Sequence, residues 1–461
     1  MTFKLSRYHI VSDVIADGHT GEPTRLVFAT RSGKSLRLKE DVYQKLLQGQ
    51  APALPTSTLL MLFDLELLAP QEEDEFQTIL TRNRGATDES DTLIVTIQPT
   101  ADCQLGCSYC GQKHSKVNAS ADVSMKITDR VISNLKRTGR RHLSIQWFGA
   151  EPLMAYSEIL RMSDRLIAHC REHGIAYDAH MITNGMSFKP AVFLNLLERQ
   201  VTGFQITLDG TAETHDIMRI TKEGSRTFDI ILKNIVSVTA LPEFMANDCN
   251  VAVRVNVNRT SAPKVPQLID LLASHRLQER NVSIEFLPVV NWGDNGASSN
   301  SFTPQDFAAQ EIDWIIYAMR AGFKTGRILP RRSTQPCMVV DKEGEVYDAF
   351  GNVYPCYEFP YTPAFEGEEY RIGHLDTIAE HRNDKPVTRN WYTDIEGNVS
   401  PCKNCPLFPV CGGGCPKQWL QGEVACPSFK ANITDRLVLD FLAKKTDFVN
   451  PNAARTDAVA V

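Results

Sequence analysis

Ten of the twelve cysteines fall in two dense groups, and this placement constrains the chain more than any other feature. Cys103, Cys107 and Cys110 stand at C-x3-C-x2-C spacing, and Cys337, Cys356, Cys402, Cys405, Cys411, Cys415 and Cys426 crowd the last third. Cys170 and Cys249 stand alone and read as small buried apolar residues. The opening stretch MTFKLSRYHIVSDVIADG has neither a long apolar run nor a small-residue cleavage site, so the expectation is a cytoplasmic chain whose thiols stay reduced. No segment reaches the roughly 18 consecutive apolar residues of a membrane span. Clustered, reduced thiols predict metal ligation.

At 461 residues the chain is too long for one core, which predicts several domains. Six strand-like runs, LIVTIQ (93–98), HLSIQWF (142–148), DAHMIT (178–183), FQITL (204–208), NVAVRVNV (250–257) and VSIEFL (282–287), alternate with amphipathic helical patterns. That is the signature of parallel β-α units. The predicted fold is α/β, a partial (β/α)6 barrel over residues 89–300 with an open side and its chemistry in the loops after the strands. Residues 1–88 predict a small α+β module, with alternation at 8–14 and 25–30, a turn at Ser32-Gly33, and helices over 39–47 and 56–65. The acidic QEEDEF and NRGATDESD read as the connection onward. A linking helix in 301–335 leads to a loop-rich segment, 336–446, that needs metal to fold, with a last helix at NITDRLVLDFLAKK, and 447–461 reads as a disordered tail. A net charge of −6 gives no electrostatic case for nucleic acid or a membrane surface as partner.

The triplet follows the first strand directly. A [4Fe–4S] cube that only carries electrons takes four ligands, so three thiolates leave one iron free for a reacting group. Zinc would require a fourth ligand, for which His114 is within reach. With Tyr109 before its third cysteine, the triplet resembles the signature of the radical S-adenosylmethionine (SAM) enzymes. The resemblance implies that the open iron chelates SAM and that one electron splits it to give a carbon radical. Phe148-Gly149-Ala150-Glu151-Pro152 after strand two is similar to the family's Gly-Gly-Glu-Pro motif, with alanine at the second glycine. Tyr109, Gly149, Glu151, Pro152, Asn184 and Asp209 are thereby implied as SAM contacts. Thr183-Asn184-Gly185 and Thr207-Leu208-Asp209-Gly210 end strands three and four and suit a polar rim around a nucleoside. Asn256 and Asn258 end strand five and stand evenly between site and structural roles. Asp209 and His114 are the candidates for proton transfer, without an assigned step.

The downstream cysteines, C337-x13-G351-x4-C356 and then C402-x2-C405-x5-C411-x3-C415 with Cys426, resemble the SPASM extension found behind such barrels. This implies two auxiliary [4Fe–4S] clusters, one on Cys337, Cys356 and Cys415 and one on Cys402, Cys405, Cys411 and Cys426. Seven thiols cannot fill eight positions, so the first auxiliary cluster is left with an open iron, a non-cysteine ligand or a substrate atom. Enzymes of this kind act mainly on peptides or proteins, so the resemblance implies a maturase that oxidatively crosslinks or modifies a ribosomally made precursor. An electron donor such as flavodoxin or ferredoxin is implied with it. The N-terminal module is similar in element order to a winged-helix element that binds leader peptides. Two alternatives stand beside this reading: a sulfatase-activating enzyme that makes formylglycine, and a zinc-stabilised binding protein without catalytic activity.

Overall fold

The computed structural model describes residues 2–18, 20–291, 296–384 and 386–445; the tail at 447–461 lies outside the described residues. Six parallel strands, β1 (Thr92–Ile97), β2 (His142–Trp147), β3 (Ala176–Thr183), β4 (Val201–Thr207), β5 (Asn250–Val257) and β6 (Val282–Pro288), stand side by side in sequence order. Between and after them run α1 (Ala121–Thr138), α2 (Tyr156–His173), α3 (Pro190–Leu197), α4 (Phe228–Thr239), α5 (Val265–Ser274) and α6 (Pro304–Arg320). Helix α1 shows why these segments become helices. Ser120 caps its start by accepting from the Val123 amide, Ile127, Val131 and Leu135 recur on one buried face, and Gly139 ends it in the left-handed conformation.

The strands alternate. Leu143, Ile145 and Trp147 are buried in the core shared with the helices, whereas His142, Ser144 and Gln146 lie on the opposite, half-buried face. On that face Asp178 receives bonds from His180 Nε2 (2.9 Å) and Ser144 Oγ (3.0 Å) and lies 2.5 Å from His142 Nε2. Burial acts to raise the Asp178 carboxyl, but these partners outweigh it and hold it below its ordinary value. The fold is the expected partial barrel, lined on its inner side by polar groups.

The sheet extends beyond the six expected strands. β7 (Lys324–Thr325) adds parallel to β6, and β8 (Glu345–Tyr347) adds parallel to β1. Through β9 (Asn352–Tyr354) and β10 (Gly373–His374), both antiparallel, the sheet reaches ten strands. The cysteine-dense segment is therefore hydrogen-bonded into the barrel. Arg140 clasps Asp341 with two bonds (2.6 and 2.9 Å), all but buried, and Glu345 takes Arg130 (2.7 and 3.0 Å), Asn134 (2.9 Å) and Tyr347 (2.6 Å). Asp341→Asn removes the charge that compensates Arg140 and is expected to cost about 1.5–3 kcal/mol. Thermal unfolding of the reconstituted protein checks this, and an unchanged midpoint refutes it.

In residues 2–88 the strand Pro23–Ala29 pairs with Lys34–Lys39 on one edge and with His9–Val11 and Ile15–Ala16 on the other. Helices Glu40–Leu47 and Thr56–Asp64 follow. The stretch expected as an acidic connection is instead a helix, Glu75–Asp88. Asp74 caps it through the Phe76 and Gln77 amides (both 3.1 Å), and Phe76, Ile79 and Leu80 bury its inner face. They pack with Trp391, Tyr392, Ile395 and Phe408. Leu26 and Phe28 pack with Leu407, Val410, Ile433 and Leu437, the last two from α7 (Phe429–Lys445).

Candidate functional site

The loop from Thr100 to Cys110 leaves the end of β1 and is pinned on both sides. Ala101 donates to Val117 O (2.8 Å), Gly106 to Ile220 O (2.8 Å) and Ser108 to Met218 O (2.9 Å). This holds Cys103, Cys107 and Cys110 together as free thiols. Burial pushes Cys103 up to about 12, with Glu151, Cys107 and Cys110 adding to it, and burial pushes Cys107 up to about 11. Three thiols this close, each made more basic by burial, suit a shared cationic centre, whose charge reverses the effect and deprotonates its ligands. His114 Nε2 lies 3.8 Å from Cys110 Sγ, and burial lowers the pKa of its imidazole.

Around the triplet stand the ends of β2 to β5. Glu151 is fully buried and anchored by three donors, Thr183 Oγ1 (2.7 Å), the Asn184 amide (2.7 Å) and the Leu153 amide (3.0 Å). Burial raises its carboxyl, and those donors oppose the rise. Asn184 also reaches Cys103, its Nδ2 lying 3.8 Å from Sγ. Pro152 opens the short turn Pro152–Ala155 that leads into α2. Gly149 has φ +82°, and a Cβ there would meet Gln98 Oε1 at 2.2 Å. Gln98 in turn donates to Tyr357 O (2.6 Å). Gly149→Ala therefore forces both a strained backbone and a displaced Gln98, at a cost of about 1–3 kcal/mol. A lowered thermal midpoint is the expected reading, and an unchanged one refutes the clash. Ala150 itself sits at φ +47°, the conformation that favours glycine at this point of the motif.

Asp209 is buried within a polar cluster. Tyr109 Oη contacts its Oδ2, the Asn256 amide donates to Oδ1 (2.8 Å), and Arg219 Nε lies 3.9 Å from Oδ2. Arg219 and Asn256 also donate to Tyr109 Oη, at 2.7 and 3.2 Å. Burial raises the Asp209 carboxyl, and Arg219 is the largest influence opposing it. The same elements separate the two asparagines: Asn256 faces this cluster, whereas Asn258 Oδ1 accepts from the Thr260 and Ser261 amides and holds a turn. Arg219 was not singled out from the sequence, although it closes the run THDIMR after β4.

The seven later cysteines divide into two sets of electrostatic neighbours. After burial, Cys337 is raised by Cys415, and Cys356 by Glu358, Cys337 and Cys415. Burial pushes Cys411 up to about 12, with Cys402, Cys405 and Cys426 adding to it. Those four line one pocket with Lys430, whose Nζ lies 3.3 Å from Cys426 Sγ. The Gly412-Gly413-Gly414 run has no room for side chains, since a Cβ on Gly414 would stand 2.1 Å from Ala425 O.

The segment after Cys356 lies against the first cysteine loop. Tyr361 Oη donates to Gln98 O (2.9 Å), Lys113 donates to Tyr361 O (2.7 Å), and Glu358 influences both Cys110 and Cys356. Glu358 and Lys417 were also missed in the sequence, because nothing in their spacing marks them. Burial raises the first and lowers the second, and each opposes that shift in the other.

Residues 97–240 match the family model of the radical SAM superfamily. The chain is 21% identical over 369 residues to a cysteine-type anaerobic sulfatase-maturating enzyme of Clostridium novyi (strain NT), covering 74% of this chain and 94% of that protein. It is 27% identical over 340 residues to the radical SAM cyclopropyl synthase TigE of Paramaledivibacter caminithermalis, covering 68% of this chain and 65% of that one. A solved structure of native anSMEcpe with bound AdoMet and Kp18Cys peptide shares the fold, with a TM-score of 0.57 and 17% identity over 77% of this chain and 100% of that chain. The non-enzymatic, zinc-stabilised alternative is overturned by these matches. No helix among the described residues is long and apolar enough to cross a membrane.

Proposed function

Because residues 97–240 form a radical SAM domain in a chain related to sulfatase-maturating and peptide-modifying enzymes, we propose a cytoplasmic maturase that oxidatively crosslinks or modifies a side chain of a ribosomally made peptide or protein. The observation that carries this reading is the packing of the segment after Cys356 against the residues that flank the first cysteine loop, with Gln98 bonded to both Tyr357 and Tyr361, which joins the second thiol-bearing segment to the edge of the first cysteine site. A substrate that loses a hydrogen atom next to such a site can then lose a further electron into it.

Cys103, Cys107 and Cys110 would hold the [4Fe–4S] cluster that binds SAM. When bound, this pair supplies one-electron cleavage and removal of a hydrogen atom from substrate. The donor set fits, with three thiols and an adjacent amide from Asn184. Glu151, fixed by three donors, keeps one acceptor position on Oε2 for an ammonium group, and Gly149 and Pro152 shape the turn that presents it. Tyr109 and Asp209, tied together with Arg219 and Asn256, form the wall of the nucleoside site. Cys337, Cys356 and Cys415 would hold one auxiliary [4Fe–4S] cluster and Cys402, Cys405, Cys411 and Cys426 the other, and a flavodoxin or ferredoxin would supply the electron that cleaves SAM. The domain layout follows: a leader-binding module over 1–88, the barrel over 89–300, a link over 301–335 and the auxiliary-cluster domain over 336–446. In the first of these, the edge strand Lys34–Lys39 offers a place for a precursor strand to add.

The deciding experiment is anaerobic turnover with SAM, a reductant and candidate short peptides, read by mass spectrometry. Loss of two hydrogens from a peptide, with deuterium carried into 5′-deoxyadenosine, supports the maturase. The match spanning 94% of a sulfatase-maturating enzyme favours a second reading, activation of a sulfatase. That reading predicts a carbonyl on a sulfatase peptide that reacts with a hydrazide. SAM cleavage without modification of any candidate peptide overturns the first reading for those substrates.

A further inference from the structure

Helix α2 carries a group of donors on its last turn that the radical chemistry does not use. His169, Glu172 and His173 are spaced at i, i+3 and i+4, which places all three on one face of the helix. One ligand atom from each lies within 4.8 Å of the other two. We propose that these residues form a binding site for a divalent transition cation, with zinc as its ligand, separate from the cysteine sites.

Three observations support the assignment. His169 Nε2 is enclosed and has no hydrogen-bond partner among the described residues, an arrangement that costs free energy unless something binds there. His173 Nδ1 stands 3.0 Å from the His169 carbonyl, so that nitrogen carries the proton and the lone pair lies on Nε2. A metal-bound histidine is oriented by such a bond from its other ring nitrogen. The two imidazole rings are already drawn together, with centroids 4.1 Å apart.

The chemistry of the donors selects the cation. Two imidazoles and one carboxylate suit zinc and its neighbours, whereas calcium and magnesium take oxygen alone. Zinc at bonds of about 2.0–2.1 Å needs its donors closer together than 4.8 Å, and the exposed side chains of Glu172 and His173 can rotate to close the gap. Burial, then the neighbouring His173 and Lys136, lower the His169 pKa and so favour the neutral ring a ligand needs, while the Glu172 carboxylate acts in the opposite sense. The site also lies at the helix C-terminus, where the backbone dipole favours a cation.

The test is equilibrium dialysis of the iron–sulfur-loaded enzyme against zinc sulfate, with metals counted by mass spectrometry. Wild type is expected to hold one zinc more per chain than the His169→Ala/His173→Ala variant, at equal iron content. Glu172→Gln is expected to bind about tenfold or more weakly. Equal zinc in wild type and the double variant overturns the proposal. X-ray absorption at the zinc edge of wild type alone gives a reading that needs no variant. Imidazole scattering with nitrogen and oxygen ligands supports the site, and an all-sulfur shell overturns it.

Discussion

Replacing Cys103, Cys107 and Cys110 together with alanine is expected to abolish formation of 5′-deoxyadenosine and to remove one cluster while leaving the others. The reason is spatial. The triplet lies on one loop pinned by Ala101, Gly106 and Ser108, whereas the seven later thiols form two other sets of neighbours. Iron content should fall from about twelve to about eight atoms per chain after reconstitution, with a broad iron–sulfur absorption retained. Full loss of iron would show that the three sets fold as one unit. Residual 5′-deoxyadenosine above background would remove the triplet from the chemistry.

Arg219→Met is expected to have the next largest effect, because it leaves a buried carboxylate without its cation. Arg219 and Asp209 are both almost inaccessible to solvent, and Tyr109 sits between them as the shared partner. Removing one member of such a pair costs about 3–5 kcal/mol. Because Tyr109 precedes Cys110, the damage should spread to the cysteine loop and lower SAM affinity as well as the unfolding midpoint. The double variant Arg219→Met/Asp209→Asn removes the stranded charge, so its loss should be smaller than the sum of the single losses. Strictly additive losses would mean that the two groups do not act as a pair.

The strands of the barrel were legible because each carries a run of apolar residues between polar turns, and Val251, Val253, Val255 and Val257 are an instance in which every second residue enters the core. The cysteine groups were legible by spacing. The helix Glu75–Asp88 was not, since its acidic and turn-forming residues outnumber the few apolar ones that face inward. Strand β8 is three residues long, too short for periodicity to show, and its place beside β1 depends on a pairing some 250 positions apart. Arg219 belongs to the site through its bond to Tyr109 and its burial, and Glu358 through its burial among the thiols, and neither placement is visible without the fold.

The shared packing of Leu26 and Phe28 with Ile433 and Leu437 has a bearing on how the protein comes into being. On the ribosome, the first strands to emerge wait for partners that are translated roughly four hundred residues later, and loop closure over such a span is slow. Until then Leu26 and Phe28 face water or a chaperone, so a nascent chain halted before α7 should be open to proteolysis at its beginning. The oldest part of the polypeptide is among the last to become native.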